Sequence, residues 1–84
     1  MKVEVRLFAG LRDVLPDAPR GRASLDLEEG ASLWGLLDRL EIEPRMAQMV
    51  LVNGVQTSRD RASREAHRLG EGDVVAIFPP VAGG

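Results

Sequence analysis

The apolar residues of this chain fall in short runs of different period, and the order of those periods limits the fold more than any other feature. Val3, Val5 and Leu7 alternate with Lys2, Glu4 and Arg6, the period of two that marks a half-buried strand. Ala9 to Leu15 reads as a short helix, because Phe8, Leu11 and Leu15 are spaced i, i+3, i+7. Pro16-Asp17-Ala18-Pro19 stops it. Ala23, Leu25 and Leu27 alternate with polar residues and predict a second strand. Ser32 is a good N-cap for a helix over Leu33 to Leu40, whose apolar stripe is Leu33, Leu36, Leu37 and Leu40. Pro44 opens a further short helical or irregular piece through Gln48. Val50-Leu51-Val52 reads as a buried strand, Asn53-Gly54 as a hairpin turn, and Val55-Gln56-Thr57 as the returning strand. Ser58 to Arg68 is polar and arginine-rich, and reads as an exposed loop with one helical turn. After the Gly70-Glu71-Gly72-Asp73 turn, Val74 to Phe78 is the most apolar strand, expected at the sheet centre and covered by the leucine-striped helix. This order contains no repeated βαβ unit, so an α+β fold with a mixed sheet and helices packed on one face is expected.

With 84 residues, 44% of them apolar, the chain suffices for one small domain, residues 1–84. It holds no cysteine, which excludes disulfides, a thiolate metal site and a persulfide on its own side chain. A formal net charge of −2 gives no strong attraction to polyanions. Met1-Lys2 leads directly into the alternating run without a signal-peptide pattern, and no apolar run approaches the ~20 residues of a membrane span. A cytoplasmic protein binding neither membrane nor nucleic acid is expected.

The last residues, Phe78-Pro79-Pro80-Val81-Ala82-Gly83-Gly84, combine features that suit a probe rather than a core element. Prolines lack an amide donor and fix φ, so Pro79 and Pro80 end the sheet and aim the chain outward. Gly83 and Gly84 remove all side-chain bulk. Residues 79–84 therefore read as a projecting, flexible tail, and its functional use is a slim carboxylate at Gly84 inserted into another protein's active site. Pro80 to Gly84 span at most about 16–18 Å when extended, enough to cross a protein wall.

Other candidates are weaker. His67 is the only histidine and lies among Arg64, Glu65 and Arg68, so it reads as a solvated loop residue. Glu28 with Glu29, and Glu41 with Glu43, sit in a turn and at a helix end, where solvation outweighs acid–base work. Arg59, Arg61, Arg64 and Arg68 read as a solvated face, without interleaved aromatics to stack nucleic-acid bases. Gly70-x-Gly72 lacks the Lys-Ser/Thr and helix of a phosphate loop. Trp34 reads as core or rim. Of Phe8 and Phe78, one reads as remaining exposed beside the tail, an aromatic anchor suited to a protein interface.

Three segments together resemble the small subunit of molybdopterin synthase, within the ubiquitin-fold sulfur carriers. These are Val5-Arg6-Leu7-Phe8-Ala9-Gly10-Leu11-Arg12-Asp13, Val52-Asn53-Gly54, and Gly70 through Gly84. The tail is the most specific of them. The resemblance implies a ubiquitin-like β-grasp fold with its first and last strands parallel at the sheet centre. It implies that the Gly84 carboxylate is adenylated by a ubiquitin-activating-like adenylyltransferase, which uses ATP. A sulfur donor then converts it to a thiocarboxylate, which the large synthase subunit uses to sulfurate the pterin precursor. The tail residues Pro79, Pro80, Val81, Ala82 and Gly83 would thread the partner, and Phe8 and Phe78 would dock on it. A heterotetramer with two of each subunit is implied, with no cofactor bound by the carrier and no catalytic acid, base or metal of its own. The rival readings are a ubiquitin-like protein modifier, a sulfur carrier for thiamine, cysteine or transfer-RNA thiolation, and a plain binding module whose tail is incidental. The Phe8-to-Arg12 opening and Pro79-Pro80 favour the molybdopterin branch over the thiamine branch.

Overall fold

A computed structural model describes residues 1–81 of the chain. Its strands are β1 (Lys2–Leu7), β2 (Arg22–Asp26), β3 (Met49–Val52), β4 (Val55–Gln56) and β5 (Val74–Phe78); its α-helices are α1 (Leu33–Arg39) and α2 (Arg61–Ala66). The strands form one sheet in the order β2-β1-β5-β3-β4. β1 and β5 are parallel neighbours, and every other pairing is antiparallel. This is the β-grasp arrangement that the resemblance implies.

The register explains the burial. Val5 lies beside Val75 and Leu7 beside Ile77, while Val52 and Val50 flank the same two residues from β3. All six side chains point to one side of the sheet, and all are buried there with Val3. α1 closes this side with Leu33, Leu36 and Leu37, followed by Leu40. Ser32 caps α1 as its sequence predicts, its Oγ accepting the Gly35 amide at 3.0 Å. The other side of the sheet carries Glu4, Arg6, Met49, Leu51, Val74, Ala76 and Phe78, all half-buried. Fully burying an aliphatic side chain contributes about 1.5–3 kcal/mol, so the alternation in β1 and β3 sets which side faces the helix.

Three local expectations differ from what forms. Ala9–Val14 is a 3₁₀ helix, not an α-helix, and only Leu11 of it is buried. A second 3₁₀ turn, Pro19–Gly21, follows where the prolines predict only a stop. The expected loop over Ser58 to Arg68 contains α2, whose N-cap is Asp60. Periodicity misses α2 because its one buried residue is an arginine, Arg64, so the helix carries no apolar stripe. No helix among the described residues is long and apolar enough to cross a membrane.

Candidate functional site

The end of β5 is held on both sides up to its last residue. The Phe8 amide donates to the Ile77 carbonyl at 3.2 Å, and the Gln48 amide donates to the Phe78 carbonyl at 2.9 Å. Pro79 and Pro80 then offer no donor, so pairing stops and the chain leaves the body. Pro79 is half-buried, Pro80 is exposed, and Val81 is 84% exposed. Ala82, Gly83 and Gly84, which carry the sequence-based expectation for the reactive terminus, lie outside the described residues.

Phe8 and Phe78 do not act as separate anchors. Their rings stack, with centroids 4.2 Å apart and planes 9° from parallel. Such a pair contributes about 0.5–1.5 kcal/mol beyond burial. Ala9, at φ +52°, turns the chain sharply after Phe8. The half-buried stack lines a groove of about 670 Å³ with Met46, Met49, Pro79 and Pro80. Phe8 and Phe78 are thus brought together with the tail base. Met46, Gln48 and Met49 are additional: they reach the groove only because β3 pairs with β5, setting Met49 beside Phe78. Nothing in their local pattern announces this.

The arginine-rich segment corrects two expectations. Arg64 is not solvated; it is 1% exposed, and its Nη2 donates to the Ala47 carbonyl at 2.7 Å. Burial, reinforced by repulsion from Arg59 and opposed by Asp60, pushes its guanidinium pKa down from its ordinary value. The inward turn follows from backbone pairing of residues 67–69 with the start of α1. The Leu33 amide donates to His67 and the Leu69 amide to Ala31, at 2.8 and 2.9 Å. An aromatic does accompany the arginines in space: Arg61 lies over the half-buried Trp34 ring, 4.7 Å from its centroid. The Arg61–Trp34 contact and the pairing of residues 67–69 fasten α2 to α1. Arg59 and Arg68 are exposed as expected, and His67 is half-buried at the end of α2. Glu28, Glu29, Glu41 and Glu43 are exposed.

Asp60 holds the start of α2. Ser58 donates to its carboxylate, and Ser63 donates through its amide and its hydroxyl at 2.9 Å each. These bonds, that from Ser58 foremost, hold the carboxyl at about 2, against an ordinary 3.8. The folded state therefore prefers the charged form. This preference stabilises α2 above pH 3.8 and is lost as pH falls through about 2. We expect a carboxyl carbon titration of Asp60 with its midpoint near 2, tracked by the Ser63 amide shift. A midpoint near 3.8 would contradict this cap. Asp73 is held low in the same way, by the Asn53 side-chain amide and then the Gly70 amide.

No curated protein matches the chain. The solution structure of the HVO 2177 protein of Haloferax volcanii superposes with a TM-score of 0.74 at 28% identity, over 100% of this chain and 87% of that one. SAMP1 of the same organism, a small archaeal modifier protein, gives 0.69 at 24% identity with 100% of both chains covered. The complex of subunits 1 and 2 of molybdopterin-converting factor from Helicobacter pylori gives 0.60 at 21%, again over 100% of both chains. The last two likenesses show the fold alone. It is the ubiquitin-like β-grasp of sulfur carriers and ubiquitin-like modifiers. The model of the ThiS family matches residues 5–84, from the central strand β1 through Gly84, and the chain belongs to that family.

Proposed function

We propose that this protein is a sulfur carrier of molybdopterin biosynthesis, with Gly84 as its reactive terminus. The observation that carries the reading is the exit of the tail: β5 stops at two prolines beside the stacked Phe8–Phe78 pair, and Val81 stands in solvent. A body that docks through the apolar groove would thus present Ala82, Gly83 and Gly84 to a partner's active site.

The chemistry belongs to the partners. At pH 7 a terminal carboxylate is ionised, its reference pKa being ~3.3–3.7. One of its oxygens attacks the α-phosphorus of ATP on an adenylyltransferase and releases pyrophosphate, leaving an acyl adenylate. A donor supplying sulfur at the sulfide level attacks the acyl carbon and displaces AMP, leaving a thiocarboxylate. In the large synthase subunit the thiocarboxylate sulfur bonds to a carbon of the pterin precursor as an oxygen leaving group departs, and water then cleaves the acyl C–S bond of the resulting thioester, leaving sulfur on the pterin and a carboxylate on the carrier. The chain contributes reach, slimness and a docking face. Pro79 and Pro80 pre-extend the tail base and lower the entropy lost on docking. Similarity to a subunit 1 in complex with its subunit 2 supports a large-subunit partner. The proposed assembly has two copies of each.

Similarity to SAMP1 favours a second reading, in which the same activated terminus is joined to lysines of other proteins. Intact mass measurement after co-expression with the native activating enzyme separates the two. A gain matching replacement of one oxygen by sulfur is expected. Gly-Gly remnants on other proteins' lysines, without that gain, would establish the modifier reading instead.

The docking face has its own test. Replacing Phe8 and Phe78 together by Ala should weaken binding to the large subunit about 30-fold or more, because buried aromatic anchors contribute about 2 kcal/mol or more. Circular dichroism must show that the variant still folds. Wild-type affinity in a folded double variant would remove this surface from the interface.

A further inference from the structure

One peptide group joins the buried arginine to the start of the tail. The Ala47 carbonyl accepts from Arg64 Nη2 at 2.7 Å, and the Gln48 amide donates to the Phe78 carbonyl at 2.9 Å. That carbonyl and that amide belong to the same planar unit, and in a trans peptide they point in opposite directions. The linkage therefore runs from guanidinium to carbonyl, through the peptide plane, to amide and on to carbonyl. Its last member belongs to the Phe78–Pro79 peptide, the first of the tail.

We infer that Arg64 is a positioning residue for the tail: it fixes the Ala47–Gln48 peptide and so orients the exit of β5. The inference rests on the proposed carrier function for its consequence, though not for its geometry.

Several observations make the linkage stiff. Ala47 is 1% exposed with Arg64 in place, so a side chain of similar bulk without donors would leave its carbonyl buried and unpaired. A buried acceptor left unpaired costs its full desolvation, so the segment would have to twist to expose it. Twisting the rigid peptide withdraws the Gln48 amide from Phe78 at the same time. The guanidinium makes no ion pair among the described residues, so its short contact is with this carbonyl, while Asp60 attracts it only from farther away. Polarisation of the carbonyl strengthens the amide on the other side of the same unit as a donor. Arg64 Nε is buried with no partner among the described residues, a desolvation cost that a merely space-filling residue would not carry. The neighbouring residues matter as well. Met46 and Gln48 line the groove beside Phe8 and Phe78, so the segment held by Arg64 also supplies a wall of the docking face. α2 itself is anchored to α1 by Arg61 over Trp34 and by the pairing of residues 67–69. The tail base is thereby tied to the helical layer.

The experiment compares the wild type with Arg64→Met, which keeps bulk and removes the donors, and with Arg64→Lys, which keeps one charged donor. Two readouts are taken on folded protein: hydrogen exchange at the Gln48 amide, and kcat and KM for ATP-dependent adenylation by the native activating enzyme. Arg64→Met should speed Gln48 exchange about tenfold or more and raise KM about tenfold, the loss of one charge-assisted hydrogen bond, with kcat within about twofold. Arg64→Lys should recover part of both. A folded Arg64→Met in which either readout matches the wild type overturns the inference. If Arg64→Met does not fold, exchange of the wild type in rising urea decides. Gln48 opening together with the α2 amides of Arg64 and His67 supports the linkage, and Gln48 opening independently of them overturns it. A wild type that is not adenylated at all refutes the carrier reading and leaves the exchange data to judge the linkage.

Discussion

Removing Gly84 should abolish adenylation while leaving the fold and its melting temperature unchanged. Every buried apolar residue among those described lies between Val3 and Ile77, so the core is complete before the tail begins. The deletion shortens the reach by one residue, about 3.3–3.6 Å. A misplacement of ~1 Å can already cost roughly 10²-fold in rate, because the reacting atoms must meet in a near-attack geometry. No compensating slide is available at the other end of the tail, since Phe78 is bonded to Gln48 and stacked on Phe8. ATP–pyrophosphate exchange with the native activating enzyme measures the first effect, and thermal melting the second. Wild-type exchange by the shortened protein would end the proposal that Gly84 is the reactive residue, for a carrier and for a modifier alike.

Gly21→Ala should cause the largest loss of stability at any glycine described. Gly21 has φ +71°, and a Cβ there would lie 2.4 Å from the Leu7 carbonyl oxygen and 2.9 Å from Arg12 Cγ. The left-handed conformation costs a side-chain-bearing residue about 1–2 kcal/mol. Overpacking adds about 1–3 kcal/mol, and here the nearest obstacle is backbone of β1, which cannot swing aside. A loss of about 3 kcal/mol is expected, a large share of the few to roughly 13 kcal/mol typical of a domain this small. Gly30→Ala is the control. Its φ is +82° with nothing within 4 Å of the added carbon, so only conformational strain applies, about 1 kcal/mol. Urea denaturation of both variants reads the difference. Equal losses would mean that the contact with Leu7 yields freely.

The elements whose chemistry is local were legible in the chain. Alternation in Val3-Val5-Leu7 marks a strand with one buried side, and Leu33, Leu36, Leu37 and Leu40 mark the stripe that covers it, because period alone decides which side chains share a face. Ser32 and Asn53-Gly54 mark a cap and a turn through bonds and dihedrals spanning only a few residues. The parallel pairing of β1 with β5 came from the resemblance rather than from period, since alternation says nothing about which strand lies beside which. The Phe8–Phe78 pair was readable as apolar, but its stacking required β1 and β5 to run in the same direction and end together. Arg64 was misread for a related reason. An arginine scores as solvent-facing in any window, and only the pairing of residues 67–69 with residues 31–33 turns it inward beneath Ala47. Gly21 and the Ala47–Gln48 peptide were equally silent, because their constraints come from partners 9 to 30 positions away. Local pattern reports what a residue prefers, whereas long-range packing determines which carbonyl, ring or backbone atom it finally meets.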